Sequence, residues 1–443
     1  MLTLSASALG LLMIAILSRP RSLFYLTVGL AFLSVPAAIP TTWGVAGLSI
    51  QAYEPFLILS TLYALIYFPV ARETLIRECA LLALFLVGAA YGLANGFPLA
   101  ENAILSDILM PLYMVFALMI TTRIIGTDLP GKIWRFLIPV LWFSAAVTLA
   151  DSALGFSISG LSEDSVRVSG QILADVGTRI RSPASWLSVA VVCGILAYVA
   201  STNRKVGSLA PWLIPAAFIA TVSFSRNTVL ALVVTLLFVL FANRDFRLSV
   251  IKRTVGYFVV ASVGVVIVLI LVHSWSENPL SAWVVEQQNG FTQRIVNGLS
   301  RSELAIDASA QYRLTQENPY LISAIRESPI VGHGFGFPYR PLYSGGYELE
   351  EAQRLQYYAH NFYLWLWTKA GVLGLLVFVW AAVVPVLTSF RGSKIAIAAG
   401  AASAGLLASS LVAPVPLGTP SALLLGILFG LCWDGRIRRE PLS

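Results

Sequence analysis

The sequence predicts an all-α polytopic membrane protein with about 12 or 13 membrane-spanning helices and one large loop outside the membrane. Of the 443 residues, 57% are hydrophobic and 12% are charged, whereas soluble domains carry roughly 25% charged residues. Apolar runs that approach the ~20 residues needed to cross a bilayer recur along most of the chain. Because these runs lack the alternation of strands, and backbone groups in lipid must bond within their own segment, we interpret them as helices.

Thirteen apolar runs are predicted to form helices, in the order 2–17, 23–39, 55–71, 79–97, 103–121, 134–154, 185–202, 207–224, 228–243, 255–272, 371–389, 394–412 and 418–433. The first run lacks the basic start and cleavage site of a signal peptide, so we expect it to be retained. If it only lies on the membrane, the number of spans is twelve. The three cysteines lie within or at the ends of apolar runs without metal-ligand spacing, so no metal site is predicted.

Lysine and arginine are concentrated in every second short connection, and this pattern predicts the orientation of the helices. Connections 40–54, 98–102 and 413–417 contain no Lys or Arg, and we place them outside. The chain then divides into N-terminal membrane helices over 1–272, a large outer loop with an interfacial helix over 273–370, and C-terminal membrane helices with a cytoplasmic tail over 371–443. The net charge of +7 is dispersed through the loops. This distribution predicts membrane lipids as a partner and no nucleic acid.

Arginine is the basic residue of the outer loop, since residues 273–360 contain six arginines, nine acidic residues and no lysine. The planar guanidinium binds phosphate or carboxylate oxygens in pairs, although Arg–Glu pairs with a structural role are the simpler interpretation. Arg226, in SFSRNTV, lies at an outer turn between two apolar runs. It is either an interfacial anchor or an anion-binding group. Arg179 and Arg181, in TRIRSPASWL, have a similar position ahead of another helix.

A short helix is predicted in the outer loop over NPYLISAIRE, with Asn318 as its cap and Pro319 in its first turn. We expect Leu321, Ile322 and Ile325 to share one face, and the helix to end before the Ser-Pro pair that follows.

The stretch IVGHGFGF follows this helix and contains three closely spaced glycines. A turn of this kind exposes backbone N–H groups, so Gly334 and Gly336 are candidates for cradling an oxyanion. A tight turn without a ligand is the simpler alternative.

The stretch HNFYLWLWTKAG places a histidine and an asparagine directly ahead of an aromatic run. We predict a helix over 360–370 at the outer surface, with the bilayer core beginning near Gly371, because Lys369 is costly inside lipid. His360 then lies at the boundary of water and lipid beside Asn361. Imidazole changes charge near neutral pH and can take a proton from a hydroxyl. A structural histidine bonded to the loop is the alternative.

Three stretches, SFSRNTVLA, YRLTQENPYLISAIRESPIVGHGFG and AHNFYLWLWTKAGVLGLL, resemble in their order and spacing the signature of the O-antigen ligase and O-antigen polymerase superfamily. The resemblance covers about 215–385. It implies a GT-C-type glycosyltransferase of the bacterial inner membrane, whose active site faces the periplasm and whose large loop is periplasmic. The implied donor is a glycan linked to undecaprenyl pyrophosphate. The acceptor is the lipid A core or a second lipid-linked glycan, and no metal ion or cofactor is implied.

The resemblance also assigns roles to individual residues. The family's arginine at the helix turn falls on Arg226, its loop arginine on Arg313 and its histidine on His360, which makes these the expected catalytic residues. An upstream arginine falls on Arg179 or Arg181. With Asn361, Gly334 and Gly336 these are the expected substrate-binding residues. Lys369 departs from the pattern, since relatives often have an acidic or neutral residue there.

Three functions remain open at this point. A ligase transfers the glycan to the lipid A core, and we favour it slightly over a polymerase, which transfers it to another lipid-linked repeat unit. A transporter or flippase of lipid-linked glycans would require ionisable residues near the middle of the membrane. Asp107, in ILSDILMP, is the main candidate for such a residue.

Overall fold

The protein's computed structural model describes residues 20–36, 38–45, 48–97, 100–154, 182–202, 206–223, 225–242, 279–292, 295, 311–342 and 356–433. Eleven of the predicted apolar runs fall in these ranges, and each contains a helix. The runs 2–17 and 255–272 lie outside the described residues. Five helices are long and apolar enough to cross a membrane. The predicted class, an all-α polytopic membrane protein, is confirmed, while the number of 12 or 13 spans stays a prediction.

Thirteen α-helices lie within the described ranges. They are α1 Pro20–Phe32, α2 Glu54–Tyr67, α3 Arg72–Ala94, α4 Ala100–Ile124, α5 Leu129–Leu154, α6 Ala184–Ser201, α7 Ala210–Val222, α8 Arg226–Ala242, α9 Pro279–Phe291, α10 Asn318–Glu327, α11 Phe362–Ser389, α12 Lys394–Ser409 and α13 Thr419–Leu431. The five that are long enough to span are α3, α4, α5, α6 and α11.

A small hairpin interrupts the helical pattern between α1 and α2. Strand β1, Thr42–Val45, pairs antiparallel with β2, Leu48–Gln51. The sequence predicts only a connection here. Two four-residue segments that are close in the chain satisfy their backbone groups by pairing with each other.

Close helix contacts hold the membrane region together. Helix α13 packs along α4, and α12 packs against α6 and α8. A side chain added at Gly426 of α13 would lie 2.0 Å from the Met114 carbonyl oxygen of α4. Only glycine permits this approach, as is common where membrane helices touch through small residues.

Part of the outer loop is bound tightly to the membrane helices. The backbone N–H of Phe335 donates to Gly88 O of α3 at 3.2 Å, and the Asn95 side chain donates to His333 O at 2.8 Å. A side chain at Gly334, where φ is +91°, would lie 2.6 Å from the Gly92 Cα. The loop after α10 therefore has a fixed position relative to α3.

Candidate active site

Helix α11 begins at Phe362, so the predicted catalytic histidine precedes the helix instead of lying on it. The Asn361 side chain is the N-cap, and its Oδ1 accepts from the N–H groups of Tyr363 and Leu364 at 3.1 Å each. Oδ1 of Asn361 is therefore engaged in the cap, and the substrate-binding role expected of this residue stays a prediction. The helix is kinked at Gly371, where φ is 66° and ψ is −177°. The kink lies where the sequence places the start of the bilayer core.

His360 is held by a carboxylate that the sequence analysis counted only among the acids of the loop. Glu317 Oε1 accepts from the backbone N–H of His360 at 2.8 Å, and Oε2 lies 2.8 Å from Nδ1 of the ring. The glutamate side chain is 1% exposed and the histidine side chain 28% exposed. Because an ionised carboxylate only accepts hydrogen bonds, this contact requires a proton on Nδ1, and in the neutral form of such a ring the lone pair is on Nε2. His360 is thus bonded to the loop, as the structural alternative predicts, and its role as a base stays a prediction.

The glutamate and the predicted loop arginine belong to a single π-helical turn, Arg313–Glu317. The N–H of Asn318 donates to Arg313 O, which is the i to i+5 bond of such a turn. The turn continues directly into α10. The α-helix begins at Asn318 as predicted, but the predicted cap is wrong, because Asn318 Oδ1 makes no hydrogen bond to the described residues and helical backbone already precedes it.

The buried face of α10 also differs from the prediction. Leu321 and Ile325 are buried as expected, but Ile322 is 40% exposed and Ala324 takes its place. The helix ends at Glu327, ahead of the Ser-Pro pair, as predicted.

The side chain of Arg313 binds the 409–413 turn, which comprises Ser409, the last residue of α12, and the four residues that follow it. The Arg313 Nη1 donates to Val412 O at 3.1 Å. In the same turn Ser410 O accepts from the backbone N–H of Phe362 at 3.0 Å, two residues after the predicted catalytic histidine. The two stretches are therefore brought together on one turn.

The first turn of α8 reaches this turn as well. Arg226 begins α8 and is partly buried. Ser409 Oγ donates to the carbonyl oxygen of Asn227, the next residue, at 3.2 Å. All three stretches with a predicted catalytic residue thus contact the 409–413 turn. Arg179 and Arg181 lie outside the described residues, and their substrate-binding role stays a prediction.

The two N–H groups that are predicted to bind an oxyanion instead donate to acceptors of the protein itself. The N–H of Gly334 donates to Lys369 O at 2.8 Å, and that of Gly336 donates to Asp107 Oδ2 at 2.7 Å. Since both N–H groups have acceptors within the protein, these contacts favour the alternative of a tight turn over binding of substrate by Gly334 and Gly336. Their φ values of +91° and +83° suit a tight turn.

Lys369 is buried within the protein, although the sequence predicts a surface helix for it. Its side chain is 0% exposed, and Nζ lies 2.6 Å from Asp107 Oδ2 and 2.7 Å from Phe337 O. The sequence does not show the carboxylate and the carbonyl oxygen that offset part of the cost of burying this ammonium group. The pair also neutralises Asp107, the residue on which the transporter alternative depended.

A tyrosine beside the glutamate remains a hydrogen-bond donor. Burial raises the pKa of Tyr339 above its usual range, and the negative charge of Glu317 raises this pKa further. Its hydroxyl donates to Tyr358 O at 2.6 Å. The stretch that leads into His360 is therefore held by two sets of hydrogen bonds, one between Tyr339 and Tyr358 and one between Glu317 and His360.

Residues 210–379 match the family model described as O-antigen ligase. The match contains Arg226, Arg313, Glu317 and His360, and it agrees with the 215–385 over which the motifs show the resemblance. The relation to the O-antigen ligase and polymerase superfamily is confirmed, and with it a ligase- or polymerase-type enzyme role at this coarse level. No curated protein matches the chain.

Proposed function

We propose that this membrane glycosyltransferase moves a glycan from undecaprenyl pyrophosphate to a sugar hydroxyl of the lipid A core, at the periplasmic face of the inner membrane. The observation that carries the proposal is the meeting of three stretches on the 409–413 turn, through Arg313, Phe362 and Asn227. These stretches supply two cations and a base, which are the groups that transfer from a lipid diphosphate needs.

The arginines serve the leaving group in this proposal. Transfer releases undecaprenyl diphosphate, and negative charge grows on its oxygens as the bond to the sugar breaks. Guanidinium groups bind such oxygens in pairs. Arg226 also begins α8, whose N-terminal N–H groups favour anions. We assign leaving-group stabilisation to Arg226 and Arg313.

His360 acts as the base that activates the acceptor sugar in this proposal. Nε2 takes the proton of the acceptor hydroxyl, and the oxygen forms a bond to the anomeric carbon from the face opposite the diphosphate. The carbon–oxygen bond to the diphosphate breaks, and its electron pair remains on the departing group. The anomeric configuration is inverted in this single step, which needs no metal ion in the proposal.

Two alternatives have different support. An O-antigen or exopolysaccharide polymerase uses the same chemistry with a lipid-linked glycan as acceptor, and the family match covers both. A transporter has less support, because Asp107 is paired with Lys369.

The test is product analysis with purified protein in detergent and undecaprenyl-pyrophosphate oligosaccharide, with and without lipid A core. A single shifted product that appears only with lipid A core is expected for the ligase. A ladder formed from the donor alone would contradict the ligase and identify a polymerase. If neither product forms, the transferase proposal fails. Activity in detergent without an ion gradient would exclude a transport cycle as its source.

A further inference from the structure

We propose that Glu317 is a positioning residue, which fixes the direction and tautomer of the His360 ring and stabilises its imidazolium during transfer. This inference rests on the proposed function, because it assigns His360 the role of base. Its geometric ground is independent of that role. Each carboxylate oxygen bonds a different group of the same histidine, one the backbone N–H and the other Nδ1, both at 2.8 Å.

The double contact restricts the ring more than a single hydrogen bond does. The bond to the backbone N–H sets where the carboxylate lies relative to the His360 main chain, and the bond to Nδ1 then sets the ring about its side-chain torsions. Because Glu317 is 1% exposed, water does not compete for these oxygens. The ring keeps 28% exposure, so its other nitrogen can meet a substrate.

The π-helical turn connects this pair to the arginine. Arg313 and Glu317 are the first and last residues of the turn. Arg313 is anchored at Val412 O, while Glu317 binds His360. Turns of this kind are rare and occur frequently at functional sites. The π-helical turn therefore sets the spacing between Arg313, the proposed leaving-group cation, and Glu317, the partner of the proposed base.

The charge of the glutamate matters at one moment of the reaction. When the acceptor O–H bond breaks, the proton moves to Nε2 and the ring becomes an imidazolium. Nδ1–H continues to donate to Glu317, whose negative charge offsets the new positive charge. The glutamate keeps its own protonation state throughout, as the aspartate of a catalytic triad does.

Kinetics of three variants test the assignment. Glu317→Gln preserves the shape and removes the charge, Glu317→Asp preserves the charge, and Glu327→Gln is the matched control at the exposed end of α10. We expect Glu317→Gln to lower kcat by about 100-fold at an unchanged donor KM. Glu317→Asp should recover part of the loss, and the control should equal wild type. Wild-type kcat in Glu317→Gln, or an effect on donor KM alone, would overturn the proposal.

The tautomer itself gives a readout that does not need activity. The chain has three histidines, so ¹⁵N-histidine labelling with His360→Gln as the assignment control identifies the ring by NMR. We expect the Nδ1–H tautomer in wild type and a population of Nε2–H in Glu317→Gln. An Nε2–H ring in wild type would overturn the positioning role. If wild type shows the Nδ1–H ring but transfers no glycan, the proposed function fails while the positioning of the ring stands.

Discussion

Lys369 of α11 and Asp107 of α4 form an ion pair of 2.6 Å, although 262 positions separate them in the chain. Neither side chain is more than 5% exposed. The same carboxylate oxygen accepts from the Gly336 N–H, and the ammonium group donates to Phe337 O. The pair therefore joins two membrane helices and the glycine turn of the outer loop at one point.

Removing one partner of this pair should destabilise the protein more than removing both. A buried charge that loses its partner costs about 3–5 kcal/mol, whereas replacing the whole pair is often neutral. We expect Lys369→Met and Asp107→Asn each to lower the melting temperature in detergent, and the double variant to regain much of the loss. Additive losses in the double variant would show that the two charges do not depend on each other.

Gly371→Ala should impair folding far more than Gly96→Ala. Both glycines have a positive φ, +66° and +63°, so an alanine is strained at either position, and the ψ of −177° at Gly371 places that backbone in a region that essentially only glycine adopts. At Gly371 the new Cβ would lie 2.1 Å from Ile330 O, while at Gly96 it meets nothing within 4 Å. Yield of monodisperse protein by size-exclusion chromatography measures the difference. Equal yields would mean that the kink can relax.

Asn361→Ala should lower stability by about 1 kcal/mol through loss of the helix cap. Asn361→Asp keeps an oxygen that can accept from the same two N–H groups, so it should retain the melting temperature of wild type. Thermal unfolding of both variants, with glycan transfer measured in parallel, checks this. A variant that melts like wild type but loses substrate affinity would favour the substrate-binding role instead.

Arg226→Ala, Arg313→Ala and His360→Ala should each abolish measurable transfer without loss of folded protein. A charge-assisted hydrogen bond contributes about 1.5–3 kcal/mol, and a general base contributes about 10²–10⁴-fold in rate. Arg326→Ala, which removes an exposed arginine of α10, is the control and should retain activity. Near-wild-type transfer in any of the three would remove that residue from the catalytic set.

Eleven helices of the described region could be read from the sequence as apolar runs, because lipid leaves such a segment few alternatives to a helix. Helix α9, Pro279–Phe291, was not predicted. The end of α10 at Glu327 followed from the local rule for the residue before proline. The predicted cap of α10 was wrong, because helical backbone already precedes Asn318. Local sequence signals therefore predicted where the helices lie better than how a helix is capped.

The site was only partly accessible from the sequence. Motif order pointed to Arg226, Arg313 and His360, since each belongs to a recognisable stretch. Glu317 was not distinguished from the other eight acids of the loop, because its role depends on a residue 43 positions away. The glycine turn was misjudged for the same reason, as the acceptors of Gly334 and Gly336 lie on α11 and α4.

The amino-acid sequence by itself determined that this is a helical membrane protein, where its apolar segments lie and which family motifs it carries. These properties depend on hydrophobicity and on short stretches of neighbouring residues. The tertiary structure alone decided which charges are paired and which N–H groups are engaged. Lys369 meets Asp107, and Glu317 meets His360, only after helices that are far apart in the chain pack together, since a hydrogen bond depends on distance in space.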